Sequence, residues 1–299
     1  MRLISLILLF LLSGTVSAQK VEWYTTTQTS PWVKQKVKPE RATTGAEIVL
    51  DLTQRLQLIT GIGGCFNEMG WDALNALSAE DREAVLQAIF GKDGACFDYC
   101  RLPMGANDFA MSFYSSADVA GDFNLVNFNI DRDRYILIPY IKAARQINPN
   151  LRIWASPWCP PPWMKTNNHY ASAVRPSGEK DVNGLLPREA IAEFSTGFRM
   201  EEGYLKTYAD YFARFIKAYE AEGLPLECIH VQNEPCSNQV FPSCKWRTED
   251  LTFFLGHYLG PTFERENIKA DIYFGTINTS NPDYVRTALR DEQAAKYIK

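Results

Sequence analysis

The 299 residues contain no Lys/Arg run longer than a pair, only three His and no Cys-x-x-Cys pair. Past the first dozen residues no apolar run is long enough to cross a bilayer, where roughly 20 residues are needed. The lack of basic runs, with a net charge of -4, removes the electrostatic footprint of a nucleic-acid or anionic-membrane partner. The scarcity of His and of paired Cys argues against a zinc site. No G-x-G-x-x-G or G-x-x-x-x-G-K-[ST] follows a strand-like segment, so nucleotide-binding open sheets lose support. No internal repeat or low-complexity stretch is visible. Disorder is excluded as well, because 46% of residues are hydrophobic and 22% charged, the balance of a chain with a sizeable core.

What is present starts with a leader. Arg2 precedes the almost wholly apolar Leu3–Leu12, and Val16-Ser17-Ala18 ends in small residues. That pattern predicts a signal peptide over 1–18, hence a secreted or periplasmic protein; an uncleaved anchor is the alternative. Seven Cys is an odd number for an exported chain. Cys96 and Cys100 read as four apart in one strand, about 13 Å, too far to bridge. Cys236 and Cys244 share a loop and are the best disulfide candidates.

Val21–Lys36 reads as extended chain and Ala46–Leu52 as a strand. Neither has a helix behind it, so 19–55 reads as a β segment of a small side domain. From residue 56 to 299 strands and helices alternate. Strands are predicted over Gln57–Gly63, Ala95–Leu102, Leu151–Ala155, Leu226–Val231 and Ala270–Phe274. Helices are predicted from the Ser78-Ala79-Glu80-Asp81 capping box to Phe90, and over Asp131–Ile147, Glu201–Glu222, Thr248–Glu264 and Asp283–Leu289. Ala294–Lys299 starts a further unit. Alternation of this kind predicts an α/β fold with a parallel sheet. Its strands read as apolar on both faces. Polar and aromatic residues gather after the strand ends, the place where (β/α)8 barrels keep their chemistry.

Three stretches carry that chemistry. Val231-Gln232-Asn233-Glu234-Pro235 puts a carboxylate at a strand tip, with Pro235 stopping the ladder and pushing Glu234 towards extended backbone. A carboxyl in a partly apolar cleft stays protonated to higher pH and can protonate a leaving oxygen. Asn233 offers a donor and an acceptor beside it. Trp154–Lys165 (WASPWCPPPWMK) is a proline-stiffened loop on which Trp158 and Trp163 could form platforms for pyranose rings; the bland alternative is packing at the barrel rim. In Arg101–Phe109 (RLPMGANDF), Asp108 could bind two sugar hydroxyls and Arg101 could hold a carboxylate, including that of Glu234, or the two could be a structural ion pair. Glu68, in Gly61–Glu68 (GIGGCFNE), reads as a supporting rather than a catalytic acid.

These stretches, with Phe241–Trp246 (FPSCKW) and Tyr258–Pro261 (YLGP), resemble glycoside hydrolase family 30, which includes lysosomal glucosylceramidase and microbial β-1,6-glucanases. The matches run in the family's order over most of Gly61–Lys299. The resemblance implies a (β/α)8 TIM barrel with a side β-domain, and a retaining double displacement on a β-glucan or glucoside. It implies Glu234 as acid/base, Asn233 at the sugar 2-hydroxyl, and Asp108 and Trp158 around the glucose. It also implies a barrel role for Arg101 and requires no metal or organic cofactor, since two carboxyls suffice. The family's nucleophile is a Glu on the seventh strand, whereas five to six strands are legible here. Asp283, Asp291 and Glu292, the acids after Phe274, all lie in helix-like segments. The expectation is that the barrel is truncated, that the nucleophile lies beyond this chain, and that the chain alone turns over aryl β-glucosides at background rate. The rival readings are an inverting Glu234–Asp108 pair, and a non-catalytic glycan-binding protein or inactive fragment.

Overall fold

A computed structural model describes residues 21–38, 51–175 and 183–299. The leader at 1–18 and most of the strand expected at 46–52 lie outside the described residues. The chain divides into two compact units, Met1–Leu58 and Ile59–Lys299. In the first, β1 (Trp23–Thr25) and β2 (Val33–Gln35) form an antiparallel hairpin, with Trp23 opposite Gln35. The rings of Tyr24 and Trp32 stack across it at 5.4 Å.

The second unit is built on a parallel sheet of four strands in sequential order: β3 (Tyr99–Pro103), β4 (Arg152–Ser156), β5 (Cys228–His230) and β6 (Asp271–Tyr273). Side chains alternate across it, as strand geometry requires. Cys100, Leu102, Ile153, Ala155, Ile229 and Ile272 enter the hydrophobic core beneath the helices. Arg101, Trp154, His230 and Asp271 occupy the opposite face and are only half-buried. The expectation of strands apolar on both faces is therefore corrected. The inner face carries polar and aromatic groups.

Both borders of this sheet continue by single parallel bridges, Cys65 with Arg101 and Ile298 with Ile272. The strand expected over Gln57–Gly63 thus lies a few residues later. The Tyr99 amide donates to the Ile62 carbonyl and the Phe66 amide to the Arg101 carbonyl, while 51–60 is irregular and largely exposed. Glycine is required here, because a Cβ on Gly63 would stand 2.1 Å from the Tyr99 carbonyl oxygen. The front of β3 is also corrected: Cys96 turns the chain at φ +52° rather than sitting in a strand.

Helices line the outer side. α1 (Glu68–Asn75), unforeseen in the sequence, is capped by Asn67 Oδ1 accepting from the Gly70 amide at 2.7 Å. α2 (Ala79–Phe90) starts at the Ser78–Asp81 cap and stops at Gly91 as expected. The single helix expected over 131–147 is two, α3 (Asp131–Tyr135) and α4 (Leu137–Ile147). Pro139 has no amide to donate back to Tyr135, so the first turn cannot continue. α5 (Glu202–Ala221) ends before Gly223, whose φ of +77° favours glycine. Its Phe212 and Phe215 are fully buried, each contributing roughly 1.5–3 kcal/mol.

The helix expected over 248–264 is interrupted as well. α6 (Thr248–Phe254) passes through a π-turn, Leu255–Leu259, into α7 (Gly260–Glu266). Pro261 again removes a donor, and wide turns absorb such a loss. α8 (Asp283–Arg290) and α9 (Glu292–Ala295) complete the layer. All seven cysteines are free thiols, Cys236 and Cys244 included. Cys244 is enclosed in the core against Ile191 and Gly197, while Cys236 faces Tyr284, so the expected disulfide does not form.

Candidate active site

The site assembles where β3, β4, β5 and β6 end. Past His230 the β5–β6 pairing persists: the Thr276 amide donates to the Gln232 carbonyl and the Glu234 amide to the Thr276 carbonyl. This lifts Asn233 and Glu234 to the sheet's C-terminal rim. Glu234 is half-buried with φ +45°. The extended backbone expected before Pro235 is thus corrected to the left-handed region, which costs a non-glycine residue about 1–3 kcal/mol. Hydrogen bonds on either side hold it there, from the Asn233 amide to the Pro157 carbonyl at 2.8 Å and from the Ser237 amide to the Glu234 carbonyl at 3.3 Å.

Arg101, projecting from β3, is the hub. Its Nη2 donates to Ser156 Oγ at 2.5 Å and to Asn233 Oδ1 at 2.7 Å. The flat guanidinium lies 3.8 Å from the centre of the Trp158 ring and 5.0 Å from that of Trp154. Burial brings its pKa down to about 10, opposed by the nearby Asp108 and Glu234 carboxylates, and it remains a cation at neutral pH. It grips the Asn233 amide, not the Glu234 carboxylate, which differs from the contact the sequence suggested. Beside it, His230 stacks with Tyr273, and burial and the Arg101 charge push its pKa down to about 4, so the imidazole is neutral.

The Glu234 carboxylate is met instead by Gln239, whose Nε2 donates to Oε2 at 2.9 Å and to Ser237 Oγ at 2.8 Å. Gln239 escaped the sequence reading because a loop glutamine has no periodicity or motif to mark it. Its main chain is also fixed: the Ser172 and Ala173 amides donate to its carbonyl, and its amide donates to Ser243 Oγ. Beneath lies Lys165, fully buried, whose Nζ donates to the carbonyls of Tyr170, Ala171 and Ser243 and to Ser172 Oγ.

The remaining expected residues separate into two groups. Asp108 is exposed and close enough to Arg101 and Cys65 for its charge to act on both. Trp158 joins the same group, but it is buried and has one face covered by Arg101. Trp163 is buried rather than offered as a platform. Its Nε1 donates to the Ala117 carbonyl at 2.8 Å and its ring is packed by Phe123 and Tyr204, the bland alternative of rim packing. Glu68 is likewise engaged elsewhere, accepting two bonds from Arg132 at 2.7 Å each and one from the Met111 amide. Further round the rim, Cys236, Trp246, Lys245, Thr279 and Tyr284 line an open cleft of about 610 Å³.

A parallel strand-and-helix arc with a carboxylate, an amide and an arginine converging at the strands' C-terminal ends is the arrangement of a barrel enzyme. Residues 59–184 and 190–299 match the Glycosyl hydrolase family 30 TIM-barrel domain, and the chain belongs to that family. Among curated proteins it is 26% identical over 271 residues to the lysosomal acid glucosylceramidase of Mus musculus, covering 88% of this chain and 48% of that protein. It is 26% identical over 248 residues to an endo-1,6-β-D-glucanase of Neurospora crassa, covering 82% and 47%. A solved endo-β1,6-glucanase superposes with a TM-score of 0.70 at 24% identity, covering 93% of this chain and 58% of that one. The chain spans about half the length of the curated relatives it matches. The four-stranded parallel sheet with its helices is accordingly part of an α/β barrel.

Proposed function

We propose that this chain carries the acid/base half of a retaining β-glycosidase that cleaves β-glucosidic linkages. Glu234 protonates the departing glycosidic oxygen and afterwards takes a proton from the water that releases the sugar. Asn233, oriented by Arg101, presents its amide NH2 to the sugar 2-hydroxyl, because its oxygen is already occupied. Asp108, free at the rim, binds two further hydroxyls. Trp158 shapes the pocket wall, and no sugar-stacking role is assigned to Trp163.

The observation that carries this reading is Glu234 at the tip of β5, in a strained backbone and hydrogen-bonded by Gln239, near an Arg101 cation that Asp108 also approaches. The relatives' names, a glucosylceramidase and endo-1,6-glucanases, support a β-glucoside as substrate. Two other acids of this unit are engaged elsewhere, Glu68 by Arg132 and Asp133 by two tyrosines. The chain spans about half the length of its relatives, which is compatible with a nucleophile on polypeptide outside these 299 residues. The inverting alternative would use Asp108, and the proposed place of that residue in the sugar pocket disfavours it. The leader-like segment at 1–18 supports export to the periplasm or the exterior. The test is a panel of β-linked disaccharides and aryl β-glucosides on the complete gene product, with Glu234→Gln as control. Failure to cleave any β-glucoside would leave the glycan-binding alternative.

A further inference from the structure

From the contacts around the carboxyl we infer that Gln239 is a positioning residue that aims Glu234 at the glycosidic oxygen; the inference rests on Glu234 being the acid/base. A glutamate side chain has three rotatable bonds, and a loop carboxylate at a strand tip would sample several directions. Here one oxygen, Oε2, is tied to Gln239 Nε2 at 2.9 Å. The same Nε2 donates to Ser237 Oγ, which also accepts from Asn278 Nδ2 at 2.7 Å. The amide is thus set by a second partner and its donor geometry is fixed before substrate arrives. Oε1 is left to face the leaving oxygen.

The support runs further back. The Gln239 carbonyl accepts from the Ser172 and Ala173 amides at 3.0 and 2.9 Å, and its own amide donates to Ser243 Oγ at 3.2 Å. Ser172 and Ser243 are in turn bound by the wholly buried Lys165 ammonium, through Ser172 Oγ at 3.3 Å and the Ser243 carbonyl at 2.6 Å. A buried cation is costly unless its donors are all used. Spending it on these loops makes the platform under Gln239 rigid, and an acid held in the productive direction is what general-acid catalysis requires. Gln239 touches no substrate in this scheme and acts through Glu234.

The test uses two substrates on the complete gene product. A 2,4-dinitrophenyl β-glucoside loses its leaving group without a proton, whereas an unsubstituted phenyl β-glucoside needs one. Gln239→Leu is expected to lower kcat/KM on the phenyl glucoside roughly 10- to 100-fold, the worth of one bond to a charged group. The kcat/KM of the dinitrophenyl glucoside, which leaves out the base-assisted second step, should fall far less. Equal losses on both substrates, or none on either, overturn the inference. If Glu234→Gln itself shows no leaving-group dependence, the acid/base reading fails. If it does and Gln239→Leu does not, only the positioning role fails. A spectroscopic readout needs no turnover. In the 299-residue chain, the side-chain amide protons of Gln239, identified by their disappearance in Gln239→Leu, should shift in Glu234→Ala. An amide pair that stays in place overturns the inference.

Discussion

The Arg101 guanidinium lies over the Trp158 ring, 3.8 Å from its centre, while one of its nitrogens reaches Asn233 Oδ1 at 2.7 Å. One side chain from β3 thereby ties the wall of the site to the neighbour of Glu234. A lysine keeps the charge but lacks the planar fork. Arg101→Lys should lower the unfolding free energy by about 1–3 kcal/mol, the range for losing bonds to a buried polar pair. Urea denaturation followed by tryptophan fluorescence measures it, and a loss of less than a few tenths would contradict the hub role.

Glu234→Gln should cost roughly 10²- to 10⁴-fold in kcat on glucosides with poor leaving groups, the usual contribution of a general acid. Steady-state kinetics across a series of phenols reads this as a steepened dependence on leaving-group pKa. A flat dependence would remove Glu234 from the reaction.

Asp133 is fully buried and accepts from Tyr114 Oη at 2.8 Å and Tyr219 Oη at 2.7 Å. Burial outweighs those bonds and raises its pKa to about 6. The folded state therefore favours the neutral acid. Its stabilising contribution is whole below the ordinary carboxylate range and is lost as pH rises through about 6. The expected loss across that window is about 3 kcal/mol at most. Asp133→Asn should remove it. The melting-temperature difference between variant and wild type should be more favourable to the variant at pH 7.5 than at pH 4.5, and an unchanged difference would refute the linkage.

Cys96 is exposed, whereas Cys100, Cys159, Cys228 and Cys244 are buried. Burial also pushes the Cys65 thiol up to about 12, which suppresses the reactive thiolate. A thiol reagent added to the folded protein should label Cys96 first, with the buried four reacting only after denaturant is added. Peptide mass mapping of the early product decides it.

A Cβ on Gly260 would stand 2.1 Å from the Tyr297 ring. Gly260→Ala should destabilise the protein by roughly 1–3 kcal/mol through overpacking, despite alanine's better helix propensity. Thermal melting of the variant tests this, and a rise in Tm would contradict the close contact.

The order of strands and helices was legible because each strand is a short apolar run and each amphipathic helix has its own start or stop. Boundaries failed where one residue vetoes a pattern. Pro139 splits a helix whose apolar face reads as continuous, and Pro261 accompanies a π-turn that periodicity cannot register. Gln57–Gly63 alternates like a strand, yet the glycines that permit close approach to β3 shift the pairing to Ile62–Phe66. In the candidate site, the position of Asn233 and Glu234 at the end of β5 was legible because Pro235 marks where the strand stops. Between the two readings open for Trp163 the sequence could not choose, because a tryptophan beside prolines looks the same whether its ring meets solvent or Phe123. Gln239 and Lys165 gave no signal at all, since their roles exist only where three separate loops converge.

The sheet's two borders are short stretches outside any regular strand, around the Cys65–Arg101 and Ile298–Ile272 bridges, while β3 and β4 pair over five residues. Amide deuteration should therefore advance inward from both sides, with the Ile62–Phe66 and Ile298 backbone opening at low free energy and the β3–β4 centre only on global unfolding. The strand that bears Arg101 belongs to the slowest-opening part of the molecule, so its hub contacts would persist through fluctuations that loosen the rim around them.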